Sequence, residues 1–190
     1  MIQEFVPRTS APSQDNKYYI KTTKGGYNKC ILINSTTGSV LPNCTGYAWG
    51  RFMECQLNVH NCNLSRANAE LWYSNIIDGY SRGSTAKLGA VICWHSTRSG
   101  GHVAIVEKIN ADGSILTSNS AYNGERFYMR TLKPPNFYMG KSYTFQGFIY
   151  NPTTFIEPTP PEPPTTPEIT KSKFPWVLYS QKFRNRRKLT

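Results

Sequence analysis

Leu88-Gly-Ala-Val-Ile-Cys-Trp94, Gly101-His-Val-Ala-Ile-Val-Glu-Lys108 and Ser114-Ile-Leu-Thr-Ser118 decide the architecture of this chain. Each is a short apolar run bounded by turn residues, the pattern of a strand buried in a sheet. Asn110-Ala-Asp-Gly113 joins the second run to the third and is a strong hairpin signal. Phe127–Leu132 and Tyr143–Tyr150 add two further strands, and a short one is expected at Tyr18–Thr22, before the apolar run Cys30–Ile33. Working backwards, Asn34–Pro42 reads as a loop. Pro42 then sets up a helix over Cys44–Gln56, with Tyr47, Ala48, Phe52 and Cys55 close to helical spacing. Gly46 and Gly50 weaken that helix in isolation but let it pack closely. A second helix is expected over Ser65–Ile76, with Ser65 as its N-cap. Helices first and consecutive antiparallel strands after predict an α+β fold, its N-terminal helices packed on one face of the sheet.

The flanks read differently. Residues 1–16 are an extended lead-in with Pro7 and Pro12, and the folded domain is expected over 17–150. Residues 151–170 hold seven Pro and six Thr, a semi-rigid linker. Residues 171–190 form an aromatic-basic tail, with Phe174, Trp176, Leu178 and Tyr179 ahead of most of its seven bases. The net charge of +11 comes from a moderately basic 1–150, with fifteen bases and eight acids, and a strongly basic tail, and it favours a polyanion: nucleic acid, anionic lipid or a wall rich in teichoic acid. Charged residues are only 17% of the chain and aromatics 13%, which excludes a disordered protein. No run approaches a membrane span. The first eight residues carry an acid at Glu4 and no apolar run, so no signal peptide is expected. Synthesis in a reducing cytoplasm fits five cysteines with no disulfide pattern, and something else must then deliver the protein to an external substrate.

The chemistry-bearing feature is a cysteine that opens a helix and a histidine that opens a later strand. At a helix N-terminus the thiolate of Cys44 gains from the positive end of the dipole. An ion pair with a protonated His102 can hold that thiolate at neutral pH. The second ring nitrogen of His102 needs an acceptor to fix its tautomer. Asn119, at the end of the strand returning from the hairpin, is the natural candidate.

Asn43-Cys-Thr-Gly-Tyr-Ala48, Leu88–Trp94, and Gly101–Glu107 with Asp112-Gly-Ser114 resemble the consecutive signatures of the CHAP family, cysteine, histidine-dependent amidohydrolases and peptidases of the NlpC/P60 papain-like group. The resemblance spans roughly residues 17–150, and phage lysins are the members it resembles most. It implies a papain-like fold and hydrolysis of peptidoglycan through an acyl-enzyme on Cys44, with His102 as base. The third polar position is a Glu in many members and falls at Asn119 here. A further polar position falls at Ala121, leaving that role empty or shared with Ser120. The backbone N–H of Cys44 is the implied oxyanion donor. Asn43 and Tyr122 are the remaining candidates for oxyanion or substrate contacts.

No cofactor is expected, and no metal. Some lysin relatives bind calcium through acidic residues ahead of the nucleophile, and residues 21–43 contain none. His60-Asn-Cys62 and Cys93-Trp-His95 lack standard zinc spacing. The expected substrate is peptidoglycan, cut by a free endolysin or a virion-associated lysin. The tail could dock on a phage structural protein or on teichoic acid. A non-catalytic wall-binding or virion module with the same fold is the competing class, against which the intact Cys44 and His102 argue. A nucleic-acid-binding role rests on charge alone, without a recognised motif.

Overall fold

The computed structural model describes residues 2–13, 15–22, 30–32, 41–57, 62–124 and 126–157. The expected linker beyond Glu157, the basic tail and His60 lie outside them, as does most of the loop 34–42. In chain order the strands are β1 (Ile2–Glu4), β2 (Ile20–Thr22) and β3 (Cys30–Leu32). Helix α1 (Cys44–Cys55) follows. Then come β4 (Arg82–Gly83), β5 (Val91–Ser96), β6 (His102–Ile109), β7 (Ile115–Ser120), β8 (Phe127–Leu132), β9 (Tyr143–Ile149) and β10 (Thr154–Ile156). Six of them build one antiparallel sheet in the order β4-β9-β5-β6-β7-β8. Two small parallel pairs, β1 with β10 and β2 with β3, stand beside it.

The fold is α+β, with one α-helix among the described residues. Helix α1 forms where its sequence predicts. Asn43 caps it, its side-chain oxygen accepting from the Gly46 N–H. Gly50 admits the Tyr19 ring, since a Cβ there would come within 2.3 Å of it. The close approach that glycine allows is thus to Tyr19.

The expected second helix over Ser65–Ile76 does not form. Two single 3₁₀ turns, Ala69–Leu71 and Ile76–Asp78, stand in its place, so the expectation of several N-terminal helices is corrected to one. The hydrogen bonds explain why. The Ser65 hydroxyl closes a local turn onto the Ala67 N–H. The Glu70 N–H goes to the Gly100 carbonyl at 2.9 Å. Arg82, paired with buried Asp78, donates to the carbonyls of Trp72, Tyr73, Asn75 and Tyr80. The Trp72 carbonyl, which a helix would bind internally, and carbonyls of the final turn and beyond are satisfied by one guanidinium. Ala69 and Trp72 reach the core while Leu71 and Ile76 are exposed, so the apolar residues there do not form one helical face.

Strands β5 and β6 are covered on both sides, which is why they read as unbroken apolar runs. Val91, Cys93, Val103 and Ile105 face α1 with Tyr47, Ala48 and Phe52. Ile92, Trp94, Ala104 and Val106 face the other layer with Phe137 and Phe148.

A buried charge network fastens α1 to the sheet. Glu107, 1% exposed on β6, accepts from Arg51 Nε at 2.9 Å and Arg51 Nη2 at 2.8 Å. It also accepts from the Ser118 hydroxyl of β7 at 2.6 Å, which in turn accepts from the Tyr47 hydroxyl of α1. The Arg8 backbone N–H donates to the same carboxylate, and the Arg8 side chain pairs with Glu54. Removing one partner of such a pair strands the other charge. Glu107→Leu is therefore expected to cost about 3–5 kcal/mol of folding free energy, read from urea denaturation. An unchanged midpoint would show that the network does not hold the helix.

Candidate active site

Three elements deliver the candidate residues to one end of the sheet. Cys44 opens α1, His102 opens β6, and Asn119 lies next to the end of β7. Gly101 makes the entry to β6 possible. Its φ is +81°, and a Cβ there would lie 2.5 Å from the Glu70 backbone nitrogen and 2.6 Å from the Trp94 carbonyl oxygen. The Ser120 hydroxyl donates to the Pro42 carbonyl and ties the end of β7 to the residue pair preceding Cys44. That is the role of Ser120 in the site, and Ala121 carries no polar side chain to share another.

His102 is 7% exposed and lies against Trp94, with ring centroids 5.8 Å apart, and against Tyr143. Its Nε2 is 3.1 Å from Asn119 Oδ1. The surrounding bonds settle which amide atom faces the ring. Asn119 Nδ2 has acceptors around it: the Thr117 carbonyl at 3.1 Å, Thr117 Oγ1 at 3.0 Å and the Tyr128 carbonyl at 3.4 Å. Thr117 Oγ1 spends its own proton on the Arg130 carbonyl, so it accepts from Asn119. With the nitrogen oriented that way, Oδ1 faces His102 and the neutral ring carries its proton on Nε2. Nδ1 is left as the basic nitrogen.

Cys44 and His102 line one cavity of about 410 Å³, together with Asn43, Thr45, Tyr122, Arg126 and Tyr128 among others. Burial pushes the Cys44 thiol upward, opposed by backbone N–H groups of Val103, Thr45 and Cys44 itself. Burial likewise brings the His102 imidazole down to about 4, opposed by its hydrogen bond to Asn119 and assisted by the charge of Arg130. Both shifts favour uncharged partners. The thiolate–imidazolium pair that the sequence allows is not the resting state these surroundings favour.

The other candidates separate. Asn43 commits its side-chain oxygen to capping, accepting from Gly46 N–H at 3.1 Å and the Thr45 hydroxyl at 2.8 Å. Tyr122 is 77% exposed on the cavity wall. Cys55 and Cys93 are buried, and burial pushes the Cys55 and Cys62 thiols up to about 12 and that of Cys93 higher. His95 sits on β5 with Nδ1 3.6 Å from Glu70 Oε2, away from the cavity lining. No group of three His, Cys, Asp or Glu among the described residues could hold a metal ion. Sequence reading missed Thr117 and Arg126. Thr117 lies two residues before Asn119 on β7, hence on the same face, and that spacing is the signal that could have found it.

Residues 34–121 match the family model described as CHAP domain, a span containing Cys44, His102 and Asn119. Over that span the chain is similar to a CHAP domain. A crystal structure of N-acetylmuramoyl-L-alanine amidase from Staphylococcus aureus is similar at 23% identity, with a TM-score of 0.40, over 57% of this chain and 31% of that one. The chain thus spans under a third of that protein's length. No curated protein matches the chain. The match to a CHAP domain, together with a cysteine and a histidine on one cavity, supports cysteine-hydrolase chemistry on amide or peptide bonds. No helix among the described residues is long and apolar enough to cross a membrane.

A depressed imidazole stays neutral, and so able to take a proton, down to lower pH than an ordinary histidine. The acid limb of kcat/KM should therefore fall near pH 4, where NMR should also find the His102 ring titrating. Ultraviolet thiolate absorbance should be absent at neutral pH. A His102 titration at the ordinary value of about 6.5 would contradict the neutral pair.

Proposed function

We propose that this chain is a peptidoglycan hydrolase of the bacteriophage lysin kind, with Cys44 as nucleophile, His102 as general base and Asn119 as the residue that orients the ring. The carrying observation is the bond sequence from the Arg130 carbonyl through Thr117 and Asn119 to His102 Nε2, which leaves Nδ1 basic on the cavity shared with Cys44.

In this reading the thiol proton moves to His102 Nδ1 as sulfur attacks the carbonyl carbon of the wall peptide. Since both groups favour their neutral forms, transfer and attack proceed together. The backbone N–H of Cys44 receives the developing oxyanion. Asn43 acts through the helix it caps, and Tyr122 is a substrate-facing wall of the cavity. The C–N bond breaks as Nδ1 returns the proton to the leaving nitrogen. Water then attacks the thioester, gives its proton to Nδ1, and frees the acid and the thiol. The reading assigns the expected tail, residues 171–190, to docking on teichoic acid or on a phage structural protein. Its seven bases and aromatic cluster support that assignment.

Purified peptidoglycan incubated with the protein should yield new termini whose identity separates amidase from endopeptidase action. Cys44→Ala should yield none while keeping its fold by circular dichroism. His102→Ala should lose a factor on the order of 10² or more, and Asn119→Ala less. Wall cleavage by Cys44→Ala equal to the parent would falsify the covalent mechanism. Binding to the wall without cleavage by the parent would favour the non-catalytic module.

A further inference from the structure

Arg126 is the permanently charged side chain among the described residues lining the Cys44–His102 cavity, and no Asp or Glu joins it there. Arg51 pairs with Glu107 and Glu54, Arg82 with Asp78 and Arg8 with Glu54. Arg126 forms no ion pair among the described residues. Its guanidinium carbon instead lies 5.1 Å from the centroid of the Tyr128 ring, which lines the same cavity.

The backbone holds that pair in place. The Arg126 carbonyl accepts from the Ala121 N–H at 2.9 Å, extending the β7–β8 ladder one step beyond Ser120 and Phe127. Tyr128 stands opposite Asn119 in that ladder, and its carbonyl faces the Asn119 amide nitrogen. Arg126 stands one residue before β8, two residues and about 7 Å along the chain from Tyr128. Its backbone is tied to the end of the sheet that holds Asn119 by the bond to Ala121. A guanidinium stacked on an aromatic face keeps its in-plane N–H groups for a ligand, and that planar fork matches a carboxylate.

We propose that Arg126, stacked on Tyr128, is a specificity-determining residue that takes a free carboxylate of the wall peptide next to the bond being cut. The inference rests on the hydrolase reading above and names what that reading leaves open, the charge of the preferred substrate. Peptides whose nearby acid is amidated lose the charge-assisted bonds and leave the guanidinium without an anion.

The test compares two synthetic wall peptides that differ only in one carboxylate replaced by carboxamide, together with purified peptidoglycan, using the full chain. The parent should favour the acid in kcat/KM, chiefly through KM, by on the order of tenfold, the scale of hydrogen bonds to a charged group. Arg126→Ala should bring the acid-to-amide ratio close to one, Arg126→Lys should keep part of it, and Arg126→Glu should reverse it. A parent without preference for the acid, or a preference that survives in Arg126→Ala, overturns the inference while the hydrolase reading stands. A folded parent that cuts neither peptide nor the wall overturns both.

Discussion

The ion pair between Glu107 and Arg51 is the constraint on which the rest of the molecule depends. It joins the middle of α1 to β6, and the Ser118–Tyr47 bond extends it to β7. Cys44 opens α1, His102 opens β6 and Asn119 lies one residue before the end of β7. Any slip of the helix along the sheet would break a fully buried carboxylate's bonds before it moved Cys44 away from the cavity. Buried ion pairs contribute little net stability, because desolvation offsets the attraction. What this one contributes is alignment: a carboxylate with four donors around it accepts one helix position and not its neighbours.

Alignment at that precision brings both groups into largely apolar surroundings. His102 is buried against the Trp94 and Tyr143 rings, and backbone N–H groups of Val103, Thr45 and Cys44 lie beside the half-buried Cys44. Low polarity disfavours both charged forms, and the N–H groups near the sulfur are too few to reverse it. In the covalent mechanism proposed above, donors beside the sulfur stabilise the attacking state more than the resting one.

Much of this was legible in the sequence, and the boundary of legibility is physical. The doubly buried strands declared themselves as unbroken apolar runs, the hairpin through Asp112-Gly113, and α1 through Pro42 and the spacing of Tyr47, Ala48, Phe52 and Cys55. Asn119 was reachable because a hairpin brings the end of one strand beside the start of the other. The failures are all non-local. Residues 65–76 have helical spacing, but their carbonyls are claimed by Arg82 and their amide by Gly100, contacts that no local pattern encodes. Strand β1 pairs with β10 across nearly the whole folded unit, so an extended lead-in is all that its own residues reveal. Glu107 stood inside the histidine motif, and only the position of Arg51 on the facing helix shows it to be structural.

The same geometry explains why an amide, not a carboxylate, orients the histidine. Three acceptor oxygens, two from Thr117 and one from Tyr128, surround the atom of Asn119 that points away from the ring. An Asp or Glu there would set a second oxygen among acceptors with no proton to share. The Glu107 carboxylate is bound through Ser118, the residue next along β7. A second negative charge so close would be resisted by the first. Only a group that donates on one side and accepts on the other fits position 119. Because that group is neutral, nothing beside His102 compensates an imidazolium, and burial prevails. The surroundings that favour uncharged forms of both groups thus follow from how β7 and β8 are hydrogen-bonded.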